Sequence, residues 1–182
     1  IRHCEYVLRQ LFGRVTSVQS LTATHIPRRR DERCRPYDAT ADDAAYGVLE
    51  HEGGAVAQIN SSWAVRVHRD ELVEFQVDGT EGSAVAGLHK CFVQPRVATP
   101  KPVWNPDIPQ TIDFFSTWQE MPATRVFDNG FKVQWEMFLR HVAEDAPWAY
   151  GLEAGAKGVQ LATLGLQSWR ERRWMDVPAL GF

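Results

Sequence analysis

Residues 71–87 read ELVEFQVDGTEGSAVAG, and the choice of fold turns on them. Val73, Phe75 and Val77 alternate with Glu74, Gln76 and Asp78, the period of a strand with one apolar and one polar face. Asp78-Gly79 opens a turn and Gly82 closes it. Residues 83–86 then return as a second strand of small and β-branched side chains. An antiparallel sheet therefore occupies the middle of the chain, and something must pack on its apolar face.

Working back toward the start, Cys4, Val7, Leu8 and Leu11 form one stripe of a short helix that Gly13 is placed to end. Residues 15–24 follow as a strand. Residues 25–43 (HIPRRRDERCRPYDATADD) hold two prolines, five arginines and five acidic residues without periodicity, and read as a long loop. Loops of that length are commonly functional. Residues 45–50 form a further strand, Glu52-Gly53-Gly54 a tight turn, and residues 55–67 a long partner strand. On this partner Ile59, Ser61, Trp63, Val65 and Val67 share one face.

Beyond the central pair, residues 91–97 read as another strand. Five prolines from Pro95 to Pro109 impose an extended excursion, with short edge strands at residues 112–115 and 118–121. The last third is helical. Phe131, Trp135, Phe138 and Val142 recur at helical spacing behind a cap at Asp128 or Asn129, and Pro147 stops the run. A second helix covers about residues 152–172, with Gly151, Gly155, Gly158, Ala162 and Gly165 on one side. Interior glycines cost about 1 kcal/mol each relative to alanine, so their clustering points to close backbone approach. A short strand at residues 174–177 ends the pattern. The expected fold is α+β: a single domain over residues 1–182, with a mainly antiparallel open sheet and helices packed on one face. Its other face would be left for assembly.

Composition narrows the function classes. Of 182 residues, 44% are hydrophobic and 24% charged, with a net charge of −3, so nothing attracts the chain to nucleic acid or anionic lipid. No apolar run is long enough to span a membrane. Cys4, Cys34 and Cys91 lack a CxxC spacing and read as reduced thiols, which suits a cytoplasmic protein. His3, His25, His51, His68, His89 and His141 show neither HxxxH nor HxH, so no metal is expected. Ser61 and Ser62 lack a nucleophile elbow. Arg28, Arg29 and Arg30 stand beside Asp31 and Glu32 and read as self-paired surface charge rather than a phosphate grip. Ile1 opens within a helical pattern with no capping residue before it, as expected of a piece of a longer chain.

Three stretches taken together resemble one family. GVQLATLGLQSWRERRWMDVP (158–178), VEFQVDGTEGSA (73–84) and ADDAAYGVLEHEGGAVAQINSSW (41–63) are similar, in order and spacing, to the C-terminal domain of the Gfo/Idh/MocA oxidoreductases, the glucose-fructose oxidoreductase type. The resemblance implies an NAD- or NADP-dependent dehydrogenase of sugars, cyclitols or related polyols, with a Rossmann domain ahead of this one. No GxGxxG follows a strand here, and the family's Glu-Lys-Pro motif is also missing.

A family motif sets an aspartate four residues before a histidine, and HCEYVLRQLFG (3–13) matches its histidine end. The resemblance therefore assigns His3 as the proton-transfer or substrate-hydroxyl residue; the bland reading is a terminal residue with no role. An imidazole with a pKa near 6.5 suits removal of a hydroxyl proton. His25, Asp128 and Asn129 are weaker substrate-binding candidates, chosen because their loops would border a cleft. This fragment alone is expected to bind no cofactor, to be inactive, and to form a homo-oligomer through its open sheet face. The rival readings are a non-catalytic small-ligand module and a purely structural assembly domain.

Overall fold

The computed structural model describes residues 2–124 and 128–181, with the backbone alone at residues 2 and 3. The chain forms two compact units, Ile1–Arg66 with Arg140–Phe182, and Val67–Leu139.

In the first unit, helix α1 (Arg2–Phe12) ends where the Gly13 N–H bonds the Arg9 carbonyl at 3.0 Å with φ +78°. Strand β1 (Val15–Ala23) follows directly. Three more strands join it, β4 (Ala44–His51), β5 (Val56–Ser62) and β10 (Met175–Asp176), in the antiparallel order β10-β1-β4-β5. Helix α3 (Leu152–Glu171) lies along β1. The core between helices and sheet holds Leu8, Val15, Val18, Leu49, Ile59, Leu161, Met175 and Val177. Val18 and Leu49 are register partners and both are fully enclosed, each contributing about 1.5–3 kcal/mol by leaving water.

The glycine side of α3 packs only from Gly158 onward. Gly158 and Gly165 are buried with Leu161 and Ser168, whereas Gly155 is exposed. Close approach is visible as hydrogen bonding: Ser20 Oγ donates to the Gly165 carbonyl at 2.5 Å, and the Ser20 N–H donates to Ser168 Oγ at 3.1 Å. A bulky side chain at Gly165 would hold the helix off the strand.

Residues 25–43 are not the structureless loop that their composition suggests. They contain a hairpin of β2 (Arg28–Arg30) and β3 (Pro36–Asp38). Asp31 makes it: its Oδ1 accepts the N–H groups of Arg33 and Arg35, each at 2.9 Å, and closes the turn in which Cys34 takes φ 58°. The strand expected over residues 55–67 also stops early, at Ser62. There Ser62 Oγ donates to the Asp43 carbonyl at 3.1 Å and accepts the Ala64 N–H at 3.1 Å, which diverts the chain.

The second unit carries the hairpin that opened the sequence analysis. Strands β6 (Phe75–Gly79) and β7 (Gly82–Ala86) pair as read, and β8 (Cys91–Pro95) and β9 (Gln119–Glu120) extend them in the order β6-β7-β8-β9. Gly82 is obligatory, because a Cβ there would sit 2.6 Å from the Gln94 carbonyl oxygen. The strand anticipated at residues 112–115 is instead a turn, closed by the Phe115 N–H on Asp113 Oδ1 at 2.9 Å. The expected single sheet is therefore two four-stranded sheets and a small hairpin. Helix α2 (Gly130–Glu144) belongs to the second unit up to residue 139 and to the first from residue 140.

Candidate functional site

Among the described ion pairs of the first unit, the Asp43 carboxylate is the most deeply buried. The residue stands at the last position before β4, its carboxylate is 0% exposed, and three donors converge on it. The His25 N–H reaches Oδ1 at 2.8 Å; the Ile26 N–H and Arg29 Nη2 reach Oδ2 at 2.8 and 3.1 Å. Burial alone would raise its pKa. The His25 and Ile26 N–H groups and the Arg29 guanidinium outweigh that and hold it below the ordinary 3.8.

Its backbone is tied as firmly. The Asp43 N–H donates to the Ala23 carbonyl at 3.0 Å, and its own carbonyl accepts the Trp63 N–H at 3.3 Å as well as Ser62 Oγ. One residue thus joins the end of β1, the start of β4, the end of β5 and the root of the hairpin.

Two side-chain pairs stand on this knot. His25 Nε2 and the Tyr46 hydroxyl are 3.0 Å apart, with their rings edge to face. Arg29, whose Nε also donates to the Ile26 carbonyl at 2.9 Å, lies with its guanidinium carbon 4.4 Å from the centroid of the Trp63 ring. An imidazole and a phenol in contact can donate to and accept from a ligand hydroxyl. The indole supplies an apolar face.

Of the residues singled out from sequence, His25 lies in this cluster. His3 belongs to the first turn of α1, and its side chain lies outside the described residues. Asp128 and Asn129 lie in the second unit, where local bonds engage them. Asn129 Oδ1 accepts the Phe131 and Lys132 N–H groups at 2.9 and 3.3 Å, capping α2. Asp128 accepts Lys132 Nζ at 2.6 Å and the Asn129 N–H at 2.7 Å; the Lys132 bond is the main reason its pKa is lowered. Sequence reasoning passed over Asp43, Arg29, Tyr46 and Trp63 as site residues. The available signal was the Asp42-Asp43 pair at the head of a strand, with an Arg-rich segment before it.

Among the described residues no group of three or more His, Cys, Asp or Glu side chains is arranged to hold a metal. Every strand pairing among them is antiparallel, and none feeds a glycine turn opening a helix. Among the described residues, no helix is long and apolar enough to cross a membrane.

A family profile described as the oxidoreductase family C-terminal alpha/beta domain matches residues 3–177. The chain is 60% identical over 182 residues to D-xylose dehydrogenase of Paenarthrobacter nicotinovorans, covering 98% of this chain and 47% of that protein. It spans about half the length of this curated relative. Among solved structures, an oxidoreductase domain protein from Kribbella flavida matches with a TM-score of 0.73 at 15% identity, over 98% of this chain and 48% of that one. A levoglucosan dehydrogenase in complex with NADH and levoglucosan matches with a TM-score of 0.70 at 18% identity, over 98% and 49%. At those identities the structures establish the fold, while the profile establishes the family: the chain belongs to the Gfo/Idh/MocA oxidoreductases as their C-terminal alpha/beta domain.

Proposed function

We propose that this chain is the substrate-side and assembly domain of an NAD(P)-dependent dehydrogenase that acts on a sugar, cyclitol or related polyol. The observation that carries the reading is the 60% identity to a D-xylose dehydrogenase that is about twice as long. The nicotinamide group, which accepts hydride from the substrate carbon, would be held by a preceding Rossmann domain. His3 would take up or relay the hydroxyl proton, as a neutral imidazole can near neutral pH. His25 would meet substrate hydroxyls from the loop that Asp43 secures, and Asp128 and Asn129 would each offer a further polar group to the substrate. By itself the chain would be inactive, a cytoplasmic homo-oligomer with its three cysteines reduced.

The assembly part of this reading rests on the sheet β10-β1-β4-β5. Its helix-facing side is filled, and register alternation puts Gln19, Leu21, Tyr46, Val48, Glu50, Val56 and Gln58 on the other. Val56 is 67% exposed and Leu21 is exposed as well, an apolar content that suits a second copy.

A chimera tests the enzymatic reading: the part of the P. nicotinovorans enzyme that this chain does not cover, joined ahead of Ile1. The expected result is reduction of NAD or NADP by D-xylose or another polyol with the chimera, and none with the 182-residue chain. A folded chimera that binds nucleotide yet oxidises no member of a panel of aldoses, anhydrosugars and cyclitols would leave the non-catalytic ligand-binding or assembly reading in its place.

A further inference from the structure

Where α1, α3 and the segment after β10 meet, the first unit forms a small cavity of about 30 Å³. Glu5 and Arg9 line it from α1, Lys157, Gln160 and Leu161 from α3, and Pro178 from the segment. That segment is tied down from two sides. Gln160 Nε2 donates to the Pro178 carbonyl at 2.9 Å, and Arg14 Nη1 donates to the Val177 carbonyl at 3.1 Å. A water needs roughly 10–15 Å³ of such space, so the cavity suits one or two.

Glu5 is the acidic member of the lining, and it is poorly satisfied. Its side chain is 6% exposed, and Oε1 lies 3.8 Å from Arg9 Nη1, beyond hydrogen-bonding distance. Oε2 is buried and meets no donor among the described residues. A buried carboxylate oxygen without a donor is costly, and ordered water is the usual remedy where polar groups and space allow it.

We propose that this cavity is a binding site for an ordered water, which donates to Glu5 Oε2 and joins α1 to α3 and the segment after β10. The inference goes beyond the dehydrogenase reading and does not depend on it.

The lining selects water over other occupants. Lys157 Nζ is paired with Glu153 and carries two further N–H bonds, and Gln160 keeps Oε1 as an acceptor after giving Nε2 to Pro178. With the Arg9 guanidinium, these give a water donors and acceptors besides Glu5, within the two to four partners such a molecule takes. A cation would lie against Arg9 and Lys157, and an anion against the Glu5 carboxylate. An apolar occupant would leave Oε2 unpaired.

Magnetic relaxation dispersion on the 182-residue chain, which counts long-lived internal waters, tests the site together with a high-resolution crystal structure. E5M fills the space with an apolar chain of similar length and should remove about one such water. E5Q keeps a side-chain oxygen and should retain it. Q160L releases Pro178 without altering Glu5, and should shorten the residence time of the water at least tenfold. Should E5M fail to fold, Q160L carries the same test.

The expected crystal structure shows a water within hydrogen-bonding distance of Oε2. Equal numbers of long-lived waters in the parent and E5M overturn the site, as does a residence time indifferent to Q160L. A crystal structure with no ordered density beside Oε2 also overturns it. Crystals soaked in bromide provide a further arm, in which an anomalous peak in the cavity would assign it to an anion instead.

Discussion

Asp43 and Glu5 are both buried carboxylates in the first unit, and their surroundings drive them in opposite directions. Asp43 has a donor on each oxygen and is held below its ordinary pKa of 3.8. Glu5, on α1, has no hydrogen-bond partner for Oε2 and only a distant contact from Oε1 to Arg9 at 3.8 Å. Burial raises its pKa above the ordinary 4.5, against the opposing charges of Arg9, Lys157 and His51.

The linkage signs follow. Glu5 binds its proton more tightly when folded, so its contribution to stability is complete below pH 4.5 and is lost as pH rises through the raised folded value. Asp43 contributes above pH 3.8 and loses that contribution as pH falls through its lowered folded value. Glu5→Gln should therefore raise the thermal midpoint by about 2–3 °C at pH 7.5, with the gain vanishing near pH 4. Asp43→Asn should lower the midpoint at pH 7.5 and lose part of that deficit near pH 3. Calorimetry across this range checks both, and a gain from Glu5→Gln that persists unchanged at pH 4 would contradict the assignment.

At the scale of elements, helix α3 shows why a glycine stripe is not uniform in meaning. A Cβ at Gly155 meets nothing within 4 Å, so alanine there should gain helix propensity and stabilise by about 0.5–1 kcal/mol. Gly165 is buried and its carbonyl accepts from Ser20 Oγ at 2.5 Å. Leucine at that position has to displace the helix from β1 and should cost at least about 2–3 kcal/mol, by overpacking and by loss of the Ser20 bonds. Urea denaturation of the two variants measures the contrast; equal effects would mean that helix and strand are less closely packed than described.

At the scale of the whole molecule, the open side of the sheet β10-β1-β4-β5 decides how copies meet. Val56 projects from the edge strand β5 opposite Glu50. Val56→Lys keeps the strand and gives Glu50 a local partner, but replaces an apolar contact with a charge. Light scattering on dilution should show a dimer or larger species for the parent chain and at least a tenfold weaker association for the variant, with far-UV circular dichroism unchanged. A parent chain monomeric at all concentrations would remove the assembly half of the proposed function.

The local features were legible in the sequence because the residues that carry them are neighbours along the chain. The β6–β7 hairpin follows from alternation and from Gly82, α1 from its stripe and Gly13, and the start of α2 from Asn129, all through contacts within a few positions. The family followed from the order of longer stretches. What residues 25–43 do was not legible, since mixed charge reads as loop until the Asx turn at Asp31 and the carboxylate of Asp43 are seen to organise it. The bonds to the Asp43 carboxylate join residues 14 to 18 positions apart, and their energy comes from burial and convergent donors that exist only once β1, β4 and β5 are in register. Sequence periodicity records which face of an element is apolar; which polar groups meet across elements is set by tertiary packing, because only there are they withdrawn from water together.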